Sequence, residues 1–355
     1  MIPAMRLLVA VVLPGLALSS PPPFSQPTHQ DTIRRVIKVM ASSGYLWLLG
    51  EKGALYHLDL SSRQLTRDSA LGKVTDLATS ASGSLLALTV RGGRTLIIDE
   101  QDDWKTATVV PTTPADTVLV LGVLGPRRAV LTTAAVLVEV REGDWRRRPL
   151  KGKSRSGSLQ PAAAWTSDGS FYVGGNFGEF GGNLWRVSLA TGRVTEVVKR
   201  KQDEPLGGAL DPRIDPVTAV IRDPTAGRCV LAAIGLLHMG MAVGRILRVC
   251  GDSISAQFQE PCPLQPGAPP ALQRMCSVPV FGLAQGPNGF WAVTPFGVLR
   301  FTDDTLCERR PMPKLEDVGG VLMSREVAGV LLVATDINWS ASVSGLTPLI
   351  AVVDQ

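Results

Sequence analysis

Residues 165–197 read WTSDGSFYVGGNFGEFGGNLWRVSLATGRVTEV, and this stretch spells one complete structural unit. An apolar run at 162–165 is followed by the turn Ser167-Asp168-Gly169-Ser170 and a second run at 171–174. A glycine-rich loop, a third run at 184–189, the turn Ala190-Thr191-Gly192 and a short last run at 194–198 complete it. Apolar runs of this length, separated by such turns, predict four antiparallel strands. A four-stranded meander cannot bury both of its faces alone, so it must pack against copies of itself, as the blades of a propeller do.

Weaker copies lie on both sides. The turn between first and second strands recurs at Ser42-Ser43-Gly44, Ser82-Gly83-Ser84, Gly125-Pro126-Arg127, Asp168-Gly169, 223–227, 286–289 and 324–329, which makes seven. Counted from the glycines at 44, 83, 125, 169, 227, 289 and 329, the intervals are 39, 42, 44, 58, 62 and 40 residues. A four-stranded blade occupies about 40 to 45 residues, so two blades are expanded. The second half of the unit repeats as well: LYHLDLSSRQL at 55–65 matches LWRVSLATGRV at 184–194 in its apolar, aromatic and turn positions. The last copy runs out after its third strand, at 346–354, and a strand from 24–33 would complete it and remove the open edges.

Composition agrees with an all-β chain. Of 355 residues, 45% are hydrophobic and 19% charged, with 36 Gly and 26 Pro, and long stretches of helical period are absent. The expected organisation is a signal peptide at 1–20, a proline-rich lead-in at 21–31 and a seven-bladed β-propeller at 32–355. The signal reading rests on Arg6 followed by the apolar run 7–18, which ends in small residues. That run falls short of the roughly 18 to 20 residues that cross a bilayer as a helix. The protein is thus expected outside the cytoplasm, secreted or periplasmic.

In this arrangement the chain resembles the seven-bladed propellers of the WD40-like, YVTN-like and NHL-like families, in a bacterial-type exported form. No Trp-Asp dipeptide closes the blades, a kelch-type Gly-Gly occurs at Gly174-Gly175, and Ser167-Asp168-Gly169 comes near a sialidase-type box. The resemblance implies that loops joining second to third strands open on one end of a central channel.

Five cysteines, at 229, 250, 262, 276 and 307, lie in the second half of the chain. Five thiols with one spare allow about fifteen pairings, but register narrows them. A hairpin centred between Met239 and Gly240 sets residue 229 opposite 250. Cys262 and Cys276 bracket a proline-rich loop that a bridge would restrain. Cys307 is then the spare, or a competitor for Cys276.

Long second-to-third connections are expected at 176–183, 237–241 and 336–340, in the fourth, fifth and seventh copies. They bring Asn176, Phe177, Glu179, Phe180, His238, Asp336, Asn338 and Trp339 forward as candidate ligand-binding residues. Phe177 and Phe180 flank Glu179 and are expected to be exposed. No activated nucleophile or paired-carboxylate motif occurs, so the leading expectation is a monomeric binding or interaction protein whose partner is a protein, a glycan or a small molecule. The alternative is a propeller hydrolase or lyase acting on lactones, esters or glycans. Similarity by residue type to the calcium-dependent paraoxonase-like propellers would make Asn176, Glu179, Asp336 and Asn338 the calcium ligands. A rival site is the basic run 145–155, with six basic residues in eleven, joined by Lys199-Arg200-Lys201. With a formal net charge of +5 and export expected, nucleic acid is not the partner this run implies.

Overall fold

A computed structural model describes residues 6–7, 36–50, 52–59, 61–62, 64–152, 163–200, 208–238, 241–262, 276–286, 288–310, 318–323, 330–337 and 350–354. The protein is an all-β propeller of four-stranded antiparallel blades. Six blades are complete as consecutive meanders, at 36–68, 74–110, 118–149, 163–197, 217–258 and 282–310, and are called blades 1 to 6 below.

The sequence expectation was seven, and six consecutive blades are found. The remaining strands, Val318–Met323, Val330–Ile337 and Ile350–Asp354, form a sheet with Arg6–Leu7, of which the backbone pairing is described. The strand added from the N-terminal side is therefore Arg6–Leu7, not 24–33, which lies outside the described residues; Arg6 and Leu7 fall inside the segment read as a signal peptide.

The first six turn markers fall where the repeat placed them, between the first and second strands, and the seventh, 324–329, lies outside the described residues. In blade 4, Ala163–Ser167 pairs with Ser170–Asn176 so that Ser167 faces Ser170. The two residues between them, Asp168 at φ 47° and Gly169 at φ 64°, are both left-handed, as a tight hairpin of this twist requires. The expanded intervals have separate causes. A short two-stranded ribbon, Lys199–Arg200 with Gly208–Leu210, lies between blades 4 and 5. Blade 5 has two unusually long middle strands, Val230–His238 and Met241–Cys250.

By contacts the chain falls into two compact units. The first takes in 1–92, 96–107 and 316–355; the second takes in 93–95 and 108–315. In the first, Trp47, Leu49 and Leu55 of blade 1 pack with Val74, Leu77, Leu85, Ala87 and Ile98 of blade 2. In the second, each pair of neighbouring blades buries its own apolar cluster. Phe171, Val173, Trp185 and Val187 of blade 4 meet Val120, Ala129, Leu131 and Val136 of blade 3. The opposite face of blade 4, with Tyr172 and Leu184, meets Val217, Val220, Val230 and Leu247 of blade 5. Blade 5 in turn packs Ile221, Leu231 and Ile246 against Phe290, Leu299 and Phe301 of blade 6. Alternate residues of one strand thus serve two different interfaces, the period of two that a sheet imposes.

Both expected disulfides are present, Cys229–Cys250 and Cys262–Cys276, and Cys307 is free and exposed. The ladder pairs Val230 with Val249 and His238 with Met241, so 229 opposite 250 continues the same register.

Polar groups that leave solvent are held by several donors. The Asp116 carboxylate accepts from Arg147 at 2.6 Å and 3.0 Å, from the Thr113 N–H and hydroxyl, and from Thr132 Oγ1. The Arg147 guanidinium, with these further donors outweighing burial, holds the Asp116 carboxyl well below the usual carboxylate range. A depressed folded pKa gives stability that is present above the unfolded value of about 3.9 and lost as pH falls through the folded one. Asp116→Asn is therefore expected to lower stability by about 1.5 to 3 kcal/mol at neutral pH. Urea unfolding at pH 7 and again at pH 3 checks this: the deficit should shrink at the lower pH, and a deficit independent of pH would refute it.

Candidate functional site

The glycine-rich loop of blade 4 is built locally and then pinned to blade 5. Asn176 Oδ1 accepts from the Gly178 N–H at 2.9 Å and starts a 3₁₀ turn over Gly178–Phe180. Gly181 ends the turn at φ 82°, ψ −149°, a conformation essentially confined to glycine. A Cβ there would also fall on the backbone of Pro212 and Arg213, and the Gly182 N–H donates to the Pro212 carbonyl at 3.0 Å. Glycines 181 and 182 are thus required for close approach to the neighbouring blade.

The candidate residues separate on this frame. Phe180 stands 76% exposed, and Glu179 is exposed beside it. Phe177, expected to be exposed too, is half-buried, with its ring edge packed close to Gly175. In blade 5 most of the long loop expected at 237–241 is strand instead: the strands run on to His238 and resume at Met241, which pair with each other, and 239–240 lie outside the described residues. Leu237, one residue from the tip, is 57% exposed, and the 3₁₀ turn of blade 4 packs against this strand. The His238 side chain lies outside what is described. In blade 6 the connection is tight, as expected: Thr294 faces Gly297, and the Thr294 hydroxyl accepts from the Phe296 N–H at 3.1 Å and donates to the Gly297 carbonyl at 3.0 Å. Phe296 is held out, 58% exposed. Leu237 and Phe296 were not anticipated as candidates; the apolar residue next to a tight second-to-third turn was the available signal.

Asp336 lies next to the end of Val330–Ile337, opposite Gly320, in the other compact unit. Asn338 and Trp339 fall outside the described residues. Among the described residues, no group of three or more His, Cys, Asp or Glu side chains is placed to hold a metal ion. Asn176 Oδ1, counted among the oxygens suited to calcium, accepts from the Gly178 N–H, and the Asp336 side chain and Asn338 lie outside what is described.

Beneath the loop lies a charged group that the sequence reading missed. Asp215 is fully buried, its carboxylate paired with the nearly buried Arg245 and accepting from the Asp211 N–H at 2.6 Å. Asp211, also buried, is held by Arg213 at 2.5 Å. Burial pushes the Asp215 carboxyl up, more than Arg245 and the Asp211 N–H pull it down. The repeated Asp-Pro of DPRIDP at 211–216 was the visible sign of a structured lead-in to blade 5.

No protein-family model matches the chain, and no curated protein matches it. Solved structures similar to it are β-propellers. Ycf48 from Cyanidioschyzon merolae is 12% identical with a TM-score of 0.54, over 91% of this chain and 96% of that one. A catalytically inactive virginiamycin B lyase from Staphylococcus aureus, solved with quinupristin, is 11% identical with a TM-score of 0.53, over 91% of this chain and 96% of that one. The extracellular domain of a protein described as a hybrid two-component system of B. thetaiotaomicron is 14% identical with a TM-score of 0.52, over 91% of this chain and 39% of that one. At these identities the likeness is one of fold.

Proposed function

We propose that the protein is an exported, non-catalytic binding propeller that grips an apolar or aromatic feature of its partner at the edge where second strands turn into third strands. One observation carries this reading: in three successive blades of one unit, Phe180 and Phe296 stand in that connection and Leu237 next to the end of the second strand that leads into it, exposed by 76%, 58% and 57%. Large apolar side chains held out of a rigid scaffold in series mark an interaction edge. Glu179 supplies charge beside them, with Asn176, Phe177 and His238 as neighbours. The two disulfides fit an oxidising compartment, secreted or periplasmic. Among the described residues no helix is long and apolar enough to cross a membrane.

Photo-crosslinking residues introduced at 180, 237 and 296, in the protein as it is exported from cells, test the edge. One common adduct at all three positions is expected, with none at Glu142, which lies at an opposite, third-to-fourth turn. Phe180→Ser and Glu179→Ala should each weaken capture of that adduct roughly tenfold or more while stability stays within about 0.5 kcal/mol. Equal adducts at Glu142, or none at the three positions, would remove the reading. A calcium-raised melting point together with turnover of a lactone, ester or glycan would replace it with the enzyme alternative.

A further inference from the structure

On the other side of the second unit, a groove of about 370 Å³ opens between blades 3 and 4. Its apolar surface is Leu124 and Val138 of blade 3 and Leu189 of blade 4, which continue the buried cluster between these blades out to solvent, with Val140 beyond them. Its rim carries Arg127, Arg146 and Arg148, and no carboxylate lines it.

The strand register explains why these three arginines differ from their neighbours. Val138 pairs with Arg146 and Val136 with Arg148, so both arginines stand on the face turned toward blade 4; Arg127 shares that face with Ala129, which pairs with Val138. The intervening arginines point the other way, and both are neutralised there: Arg128 meets the buried Glu139 at 2.6 Å, and Arg147 meets Asp116 at 2.6 Å. Among the described residues, Arg127, Arg146 and Arg148 have no ion pair or side-chain hydrogen bond. The basic run thus divides by strand period into a structural half, with built-in counter-charges, and a half that faces an apolar groove without any.

The groove wall is also fixed in place. The Leu189 N–H donates to the Gly169 carbonyl at 2.9 Å, and the segment after blade 3 is bonded to the 190–192 turn of blade 4 by Lys151 N–H to Gly192 O at 2.9 Å and Val194 N–H to Lys151 O at 2.8 Å. A preformed apolar cleft with a few placed polar groups, at the lower end of the range of about 300 to 1,000 Å³, is the usual form of a small-molecule site. Guanidinium groups match carboxylate, sulfate or phosphate oxygens in bidentate fashion.

We infer that this groove binds a small anionic amphiphile, an apolar body carrying one carboxylate, sulfate or phosphate group, at a site separate from the edge that bears Phe180. The probes are anilinonaphthalene sulfonate, its uncharged counterpart phenylnaphthylamine, laurate and inorganic phosphate, titrated against the full chain. The sulfonate is expected to bind saturably, to weaken as salt rises and to be displaced by laurate but not by phosphate at equal concentration. Arg146→Gln with Arg148→Gln should weaken it at least tenfold, and Ala190→Glu, at the exposed lip, should do the same without touching the arginines. Phe180→Ser should leave it unchanged. Equal affinity for the uncharged probe, displacement by phosphate as effective as by laurate, or full binding by both folded variants would overturn the proposal. Loss of binding in Phe180→Ser would assign the probe to the other edge and equally overturn it.

Discussion

Arg245→Met is expected to destabilise the protein by about 3 to 5 kcal/mol, because it leaves the fully buried Asp215 without its counter-charge. One oxygen of that carboxylate, Oδ1, already has no hydrogen-bond partner among the described residues, and the Asp211 N–H serves the other. The loss should depend on pH in a direction fixed by linkage. Burial raises the folded pKa of Asp215, and a carboxyl with a raised folded pKa is most stabilising below its unfolded value, losing that stability as pH rises through the folded one. Removing the arginine raises the folded value further, so the deficit of the variant should be smaller at pH 5 than at pH 8. Urea unfolding at the two values tests this. The pair Asp215→Leu with Arg245→Met should recover most of the loss, since apolar residues of similar volume can replace a buried ion pair at little cost. A deficit below about 1 kcal/mol at pH 8, or one that grows toward pH 5, would mean that the pair does not hold this part of blade 5 together.

Removing both disulfides should cost more still. The bridges span sequence separations of 21 and 14 residues, and chain entropy assigns about 3 kcal/mol to closing each loop, so about 6 kcal/mol together. The second bridge also anchors the segment that crosses the blade 5 hairpin: after Cys276, the Ser277 N–H donates to the Ala242 carbonyl at 2.9 Å, Ser277 Oγ accepts from the Gly244 N–H at 2.8 Å, and the Val280 N–H donates to the Ile234 carbonyl at 3.1 Å. Thiol labelling gives the control, since Cys307 alone should react in the native oxidised protein and all five cysteines after reduction and unfolding. A reduced protein whose unfolding midpoint matches the oxidised one would show that native contacts alone set the stability.

What could be read from the chain beforehand was whatever depends on spacing. The first-to-second turns and the 229–250 pairing follow from counting residues along antiparallel strands, and the structure has both. The connection at 237–241 was misread as a loop because its flanks, VLAAIGLLH and MAVGRILRVC, are apolar on both faces and give no alternation to mark strands running on to the turn. The packing of the Phe177 ring back toward Gly175 is not a matter of spacing, and the Asp215–Arg245 pair joins residues thirty apart in sequence. The groove beside Arg146 was hidden for a similar reason. A run of three arginines shows its charge, but which of them lack a counter-charge is decided by the strand register, which turns Arg147 to Asp116 and Arg146 and Arg148 toward blade 4.

The bridge at the foot of the blade 5 hairpin has a consequence at its tip. Both long strands are buried along most of both faces, so burial alone would tolerate a slide of one strand past the other, and a slide by one residue exchanges inward and outward side chains along the whole length. Cys229–Cys250 forbids that slide by fixing one rung covalently, and the glycines facing each other at 235 and 244, where a Cβ would strike the carbonyls of Val280 and Val278, fix a second rung by steric exclusion. That Leu237 is the large apolar side chain exposed near the end of the hairpin is therefore set by a covalent bond eight residues below it. On the proposed function, oxidative folding of this chain decides the composition of the interaction edge as well as the stability.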